Sequence, residues 1–313
     1  MKIFFQLDEI EECNFPIVTI GTFDGVHLGH QKLIQHLLQK KEKLGGTTVL
    51  VTFEPHPQSV ISNKKIPIFL LTTLDEKLQI LKQLGLDCVL VLSFAQPIAN
   101  MQGDKFVEKI LVEKIGAKDI VVGYDHAFGK ERSGNIETLK LLSKRFGYAV
   151  NVVEPMVVNG EVVKSTTIRR YLLNGEIERA NGLLGRRYCL TGRVIGGTKR
   201  GRILNFPTAN LQLNNTNKLV PGDGVYAVLV NLQNKLWKGI ANIGTRPTFQ
   251  ETPRTIEVHI IDFQKDIYDQ KLQLEFVQKL RNEKKFASAP QLIQQLEQDK
   301  QKAIELFKRL DAN

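Results

Sequence analysis

Residues 17–30 read IVTIGTFDGVHLGH. The apolar run IVTIG (17–21) reads as a strand covered on both faces, because it lacks the alternation of a half-exposed strand. Residues 21–30 hold three glycines, Asp24 and two histidines, and then Leu33, Ile34, Leu37 and Leu38 fall on one helical stripe. His27 and His30 therefore lie one helical turn apart at a helix N-terminus. Three chemistries fit that spacing. Asp24, His27 and His30 are types that ligate a metal, although no second cluster completes such a site. Imidazoles can also be packed for structure alone. A phosphate fits as well, since free N–H groups and the helix dipole favour an anion there. Two imidazole donors would then hold the charge that grows as pyrophosphate leaves.

Working outward, TTVLVTF (47–53), CVLVLSF (88–94), DIVVG (119–123) and AVNVV (149–153) are further apolar runs, separated by helical patterns such as Phe106, Ile110, Leu111 and Ile115. Strand–helix alternation of this kind predicts a doubly wound parallel α/β sheet, with ligands at the carboxyl ends of its strands. GTFDG follows one strand, TFEPHP the next and GYDHAFG a later one, which points to one shared cleft. After Leu184 the period changes. VYAVLVNL (225–232), KLWKGIANI (235–243), TIEVHIID (255–262) and KLQLEFVQKL (271–280) are short strands between turn-rich stretches, as in an antiparallel sheet or small barrel. Residues 290–310 read as one amphipathic helix. The spacing places a boundary near Gly185, giving domains of 1–184 and 185–313.

At 313 residues the chain is long enough for two cores. Lys and Arg exceed Asp and Glu by 43 to 33, a charge of +10 that suits an anionic partner. Cys13, Cys88 and Cys189 form no C-x-x-C pair, so neither a disulfide framework nor a zinc site is expected. MKIFFQLDEIEE turns acidic too early for a secretory signal, and no apolar run nears the roughly 18 residues of a membrane span. A cytoplasmic protein is expected, not membrane-bound, and monomeric or weakly self-associating. A basic nucleic-acid-binding protein is the rival of another class, but aromatic residues are only 7% and fall at core-like periods.

In the second half, GRVIGGTKRG (192–201) lacks the G-K-[ST] of a P-loop. In GRILNFPTANL (201–211), Thr208 and Asn210 are oxygen-bearing and share a face if the segment is extended, which suits Mg²⁺ beside a nucleotide's phosphates. In TIEVHIID, Ile256, Val258 and Ile260 share one face, leaving Glu257 and His259 on the other. A glutamate so placed is either a solvated strand residue or a base for a substrate hydroxyl.

KSTTIRR (164–170) offers hydroxyls and Arg169 at a helix start, a second phosphate clamp or an ordinary N-cap. HxGH after a first strand, with a distal S-T-x-I-R, resembles the HIGH-type nucleotidylyltransferases. GTFDGVHLGH, TFEPHP and VVGYDHAFGKERSG, followed by KRGRILNFPTAN, GVYAV, ANIGTRPTF, EVHIIDF and KLRNEKKF, resemble the bacterial bifunctional riboflavin kinase/FAD synthetases over essentially the whole chain. The resemblance implies a nucleotidylyltransferase domain that joins AMP from ATP to FMN. It further implies a Greek-key β-barrel with terminal helices that phosphorylates riboflavin with Mg·ATP. Rival acceptors for the first domain, with a regulatory barrel, remain open. By position, the resemblance puts Gly21, Asp24, His27, His30, Ser165, Thr166 and Arg169 at the ATP of the first reaction. It puts Asp125, Phe128 and His56 near its flavin. It puts Gly196, Lys199, Gly201, Thr208 and Asn210 at the kinase nucleotide, with Mg²⁺ on the last two. Glu257 becomes the general base and Arg281 lies near the flavin or a lid. Lys164, Ala127 and Asn205 depart from the family's usual residues.

Overall fold

The computed structural model describes residues 1–61, 68–196, 206–245 and 254–311. The chain divides into two compact units, Met1–Ser165 and Thr166–Asn313.

The first unit is built on six parallel strands: β1 (Lys2–Phe4), β2 (Pro16–Ile20), β3 (Thr47–Glu54), β4 (Cys88–Ser93), β5 (Asp119–Gly123) and β8 (Ala149–Val153), in the order β1-β4-β3-β2-β5-β8. The doubly wound sheet expected from the sequence is present, with one strand more. β1, an edge strand, is only three residues long and pairs with β4. Two short ribbons, β6 (Ala127–Phe128) with β7 (Gly134–Asn135) and β9 (Val157–Val158) with β10 (Glu161–Val162), complete the unit.

Side chains alternate across the sheet because the strand period is two. Ile17, Leu50, Val89 and Val121 pack with Leu33, Ile34 and Leu37 of α1 (Leu28–Leu44) on one face. Leu81 of α3 (Leu74–Gln83) joins them, and the short α2 (Pro57–Ile61) follows β3. Val18, Val51, Leu90 and Ile120 pack on the other face against Phe106, Val107, Ile110 and Leu111. Those residues belong to α5 (Gly103–Phe106), which follows the short α4 (Gln96–Ala99) and widens into a π-type stretch over Val107–Lys114. There the Ile115 N–H reaches back five residues to Ile110. Leu139 of α6 (Ile136–Phe146) closes that layer. The chain winds one way from β2 through β3 to β4 and the other way through β5 to β8. The switch point therefore falls between β2 and β5, and GTFDGVHLGH emerges there.

The second unit starts with two helices, α7 (Ser165–Asn174, all but its first residue) and α8 (Ile177–Leu184). A closed antiparallel barrel follows, formed by β11 (Tyr188–Ile195), β12 (Ala209–Leu213), β15 (Thr255–Ile260), β14 (Lys235–Gly244), β13 (Gly224–Leu232) and β16 (Lys271–Arg281) in that order. Tyr188, Leu190, Tyr226, Val228, Leu274 and Phe276 are fully buried. On the outer wall, Val225, Ala227 and Ile240 pack under Ala303 and Phe307 of α9 (Ala289–Asp311), the amphipathic C-terminal helix.

The compact division falls upstream of Gly185, for a tertiary reason. The Gly222 N–H donates to the Leu172 carbonyl at 2.8 Å. The Asn181 amide donates to the Phe276 carbonyl at 2.9 Å and accepts from the Tyr188 N–H at 2.7 Å. Thus α7 and α8 pack on the barrel although their helical period continues that of the first half.

Two candidate sites, one in each unit

The GTFDG loop leaves the sheet in an unusual path. Phe23, Gly25 and Val26 all have positive φ (49°, 86° and 37°), a region that non-glycine residues reach at a cost and that gathers at functional sites. Buried polar contacts hold the path. Asp24, 2% exposed, accepts the Leu71 and Thr72 N–H groups at 3.0 Å, and the Gly25 N–H donates to Thr72 Oγ1 at 3.0 Å. Asp24 thus engages its carboxylate inside the protein, tying the loop to the entrance of α3. Ser165 donates its hydroxyl to the Asp24 carbonyl at 2.9 Å.

His27 is the N-cap of α1, and its Nδ1 accepts the His30 N–H at 3.3 Å. An accepting Nδ1 places the proton of the neutral ring on Nε2, which makes that nitrogen a donor. The His27 and His30 rings stack at 3.7 Å between centroids, and Phe23 lies 5.0 Å from His30. Gly29 allows this: a Cβ there would stand 3.2 Å from the His27 ring. Helix N-terminus, stacked imidazoles and strained loop meet at the switch point, an arrangement whose chemistry suits an anion.

Beneath the loop lies a residue the sequence reading passed over. Lys77 is 4% exposed and donates to the Thr22 carbonyl at 2.8 Å and to Thr52 Oγ1 at 3.2 Å. Burial holds its ammonium below the ordinary lysine value, opposed by Asp24 and Glu54, while burial raises the Glu54 carboxyl.

The three residues expected near a flavin have different surroundings. His56 is buried, and its Nδ1 accepts the Gln58 N–H at 3.2 Å at the start of α2. Phe128 is a core residue, 5.9 Å from Phe106 and stacked on His126 at 5.4 Å. Asp125 is the exposed one, with Lys164 at 3.7 Å. His126 is held near a pKa of about 4 by burial. Thr166 and Arg169 follow Ser165 on α7.

The barrel site is organised by strand register. Directly opposed residues of antiparallel strands share a face, about 5 Å apart at Cβ. Glu257 opposes Asn210 of β12 on one side and Asn242 of β14 on the other. Ile195 opposes Asn210, Val225 opposes Asn242, and Arg281 opposes Val225. An open ring of outward-facing residues thus runs from Ile195 to Arg281 without closing, with Asn210, Glu257 and Asn242 at its polar centre. The inward neighbours Ile256 and Val258 are buried, which confirms the predicted faces of TIEVHIID.

His259, on the face of Glu257, fastens the PTAN segment. Its Nδ1 lies 3.0 Å from the Pro207 carbonyl and its ring 4.7 Å from Phe206. A carbonyl only accepts, so Nδ1 carries the proton. Burial lowers the His259 pKa. A groove of about 590 Å³ opens beside it, lined by Pro207, Thr208, His259, Phe263, Tyr268 and Lys300 among others. Arg281 has a structural partner: its guanidinium grips the Asp299 carboxylate of α9 at 2.8–3.0 Å, and Asp299 is 1% exposed. Gly196 ends the described part of its loop, with open space where a Cβ would stand. Lys199, Gly201 and Asn205 lie outside the described residues.

A doubly wound sheet with an anion-holding helix end at its switch point, joined to a barrel that displays a carboxylate between two amides, defines a two-site nucleotide-handling protein. The family model described as FAD synthetase matches residues 10–167, and that described as riboflavin kinase matches residues 184–307. The chain is 39% identical over 291 residues to the bifunctional riboflavin kinase/FMN adenylyltransferase of Haemophilus influenzae, covering 93% of this chain and 94% of the relative. It is 37% identical to the Bacillus subtilis protein of that name over 304 residues, 96% of this chain and 95% of that one. A Streptococcus pneumoniae crystal structure titled as a macrolide-efflux protein shares the fold across 96% of this chain and 97% of its own, at 30% identity and a TM-score of 0.87. The chain belongs to the bifunctional riboflavin kinase/FMN adenylyltransferase family.

Proposed function

We propose that this chain makes FAD from riboflavin in two ATP-dependent steps. The barrel passes the γ-phosphoryl group of ATP to the ribityl 5′-hydroxyl of riboflavin, giving FMN. The α/β domain then joins AMP from a second ATP to FMN, releasing pyrophosphate. What carries the reading is that two family models lie in tandem on one chain, each over a unit with its own anion- or nucleotide-suited surface. We assign adenylyl transfer to 1–184 and phosphorylation to 185–313, with α7 and α8 also supporting the barrel.

In the first reaction the α1 N-terminus and the Nε2 donors of His27 and His30 stabilise the departing pyrophosphate, and FMN itself supplies the nucleophile. Gly21 and the Asp24-held loop shape the cradle, with Ser165, Thr166 and Arg169 serving the same step. Asp125, Phe128 and His56 belong to the flavin side. In the second unit the groove beside Thr208 takes the ATP of phosphorylation, with Gly196, Lys199 and Gly201 contributing from the preceding loop. Glu257 accepts the hydroxyl proton, and Arg281 fixes the helix bordering the flavin. Thr208 and Asn210 offer neutral oxygens. Among the described residues no cluster of three His, Cys, Asp or Glu could hold a metal by itself. That donor set fits Mg²⁺, which needs few protein ligands beside phosphates and would neutralise their charge when bound. A cytoplasmic enzyme, monomeric or weakly self-associating and free of nucleic acid, completes the proposal.

The test is incubation with riboflavin and Mg·ATP, followed by chromatography. FMN should appear first and FAD after it. Glu257→Gln should lower FMN formation roughly 10²–10⁴-fold while FAD still forms from supplied FMN. A normal kinase rate in that variant removes Glu257 from the mechanism.

A further inference from the structure

We propose that Asn242 binds the ribityl chain of the flavin acceptor during phosphorylation and selects for a polyol. The inference rests on the proposed kinase reading and adds a residue to it. Asn242 is the cross-strand neighbour of Glu257 on the side away from Asn210. It is half-buried and outward-facing, between the buried inward residues Ala241 and Ile243. Among the described residues its amide is engaged in no hydrogen bond or ion pair.

The order of the ring assigns the two flanks of the base. The groove is walled by Pro207, Thr208 and Ala209 at the start of β12, by β15 and the segment that follows it, and by Lys300, and no residue of β14 lines it. The phosphoryl donor therefore occupies the Asn210 flank. The acceptor must reach Glu257 from the other flank, because donor and acceptor oxygens stand roughly in line across the transferred phosphoryl group. Asn242 is the first side chain met there. Beyond it the ring passes to Val225, 3% exposed and packed with Ala303 and Phe307 of α9. Asn242 is thus the last polar position before the wall disappears under the helix.

Its chemistry suits the place. An amide both donates and accepts, so one side chain can pair with a hydroxyl in either sense. It adds no charge beside Glu257. With a Cβ separation of about 5 Å, an acceptor whose terminal hydroxyl meets Glu257 brings an adjacent chain hydroxyl to Asn242.

The experiment uses the full chain and measures FMN formation from riboflavin and from its 2′-, 3′- and 4′-deoxy analogues. Asn242→Ala should lower kcat/KM for riboflavin roughly tenfold, the worth of one hydrogen bond, and leave KM for ATP unchanged. One deoxy analogue should lose about as much with the unaltered enzyme and nothing further with Asn242→Ala. Asn242→Ser, which keeps a hydroxyl, should recover part of the rate. FAD formation from FMN should stay constant, which reports an intact first unit. Additive losses with all three analogues, or a rise confined to the KM for ATP, overturn the assignment. An unaltered enzyme that makes no FMN instead refutes the kinase reading beneath it.

Discussion

Replacing Lys77 by Met separates what a buried ammonium contributes from what its burial costs. Methionine has nearly the same length, so no cavity opens. The variant loses two hydrogen bonds from a charged donor, to the Thr22 carbonyl and to Thr52 Oγ1, at roughly 1.5 kcal/mol each. The Thr22 carbonyl is not orphaned, because Thr52 Oγ1 also donates to it at 3.1 Å. Relief of the ammonium's desolvation returns part of the loss, leaving a net destabilisation of about 2 kcal/mol. For a unit of this size that is a drop of about 4–8 °C in Tm. The assay has a built-in control, since the single tryptophan, Trp237, lies in β14 of the barrel. Far-UV circular dichroism should show an earlier transition, whereas the midpoint of Trp237 fluorescence should stay fixed. Burial lowers the Lys77 pKa, so the unfolded chain binds more protons than the folded one between the folded value and about 10.4. The stability gap between native protein and variant should therefore widen as pH rises through that window. An unchanged or higher Tm would refute the reasoning, because the burial cost would then outweigh both bonds.

His30→Ala should lower FAD formation by about two orders of magnitude, the loss of one donor to a developing oxyanion, and leave FMN formation intact; equal loss of both would make His30 structural. His126, with a pKa of about 4, favours the neutral ring, so its contribution is complete above about pH 6.5 and is lost as pH falls towards 4. Urea midpoints across that range should fall by less in His126→Phe, and parallel curves would exclude the residue. A fragment beginning at Thr166 should melt higher than one beginning at Gly185, because the shorter one loses both Asn181 hydrogen bonds and the Leu172–Gly222 contact. Equal melting temperatures by Trp237 fluorescence would show that α7 and α8 add nothing to the barrel.

The main sheet was legible because β2 to β5 are buried on both faces and interrupted by turns, so their bounds stand within a residue of the apolar runs. β1 was not, since three residues carry no period. Glu257 could be read from alternation alone. Asn242 could not, because its meaning lies in which residue of another strand it opposes, and register is a property of the pairing. Lys77 left a trace that was missed: Leu74, Lys77, Leu78 and Leu81 follow the i, i+3, i+4, i+7 spacing of a core stripe, and a lysine at such a position is buried with partners. The resemblance places Asp24 at the ATP cradle, but nothing local shows that Leu71 and Thr72, 47 and 48 residues onward, hydrogen-bond its carboxylate. The helices after Ser165 were grouped by period with the first half, whereas their tertiary bonds run to the barrel.

The hairpin joining β13 to β14 is as short as a hairpin can be. Leu232 opposes Lys235, and only Gln233 and Asn234 intervene, both left-handed with φ of 51° and 61°. Such a turn matches strand twist and fixes the pairing that follows. Counting from it, Asn242 falls outward and Ala241 inward, and a slip of one residue would exchange them. Surface turns are where insertions are usually harmless. Here a distant turn sets the alignment of Glu257 with its neighbours, so on the proposed kinase reading one added residue that shifted β14 should silence phosphorylation while the barrel stays closed. On the proposed kinase reading, sequence change at this turn is therefore read out as activity at the far end of the strand.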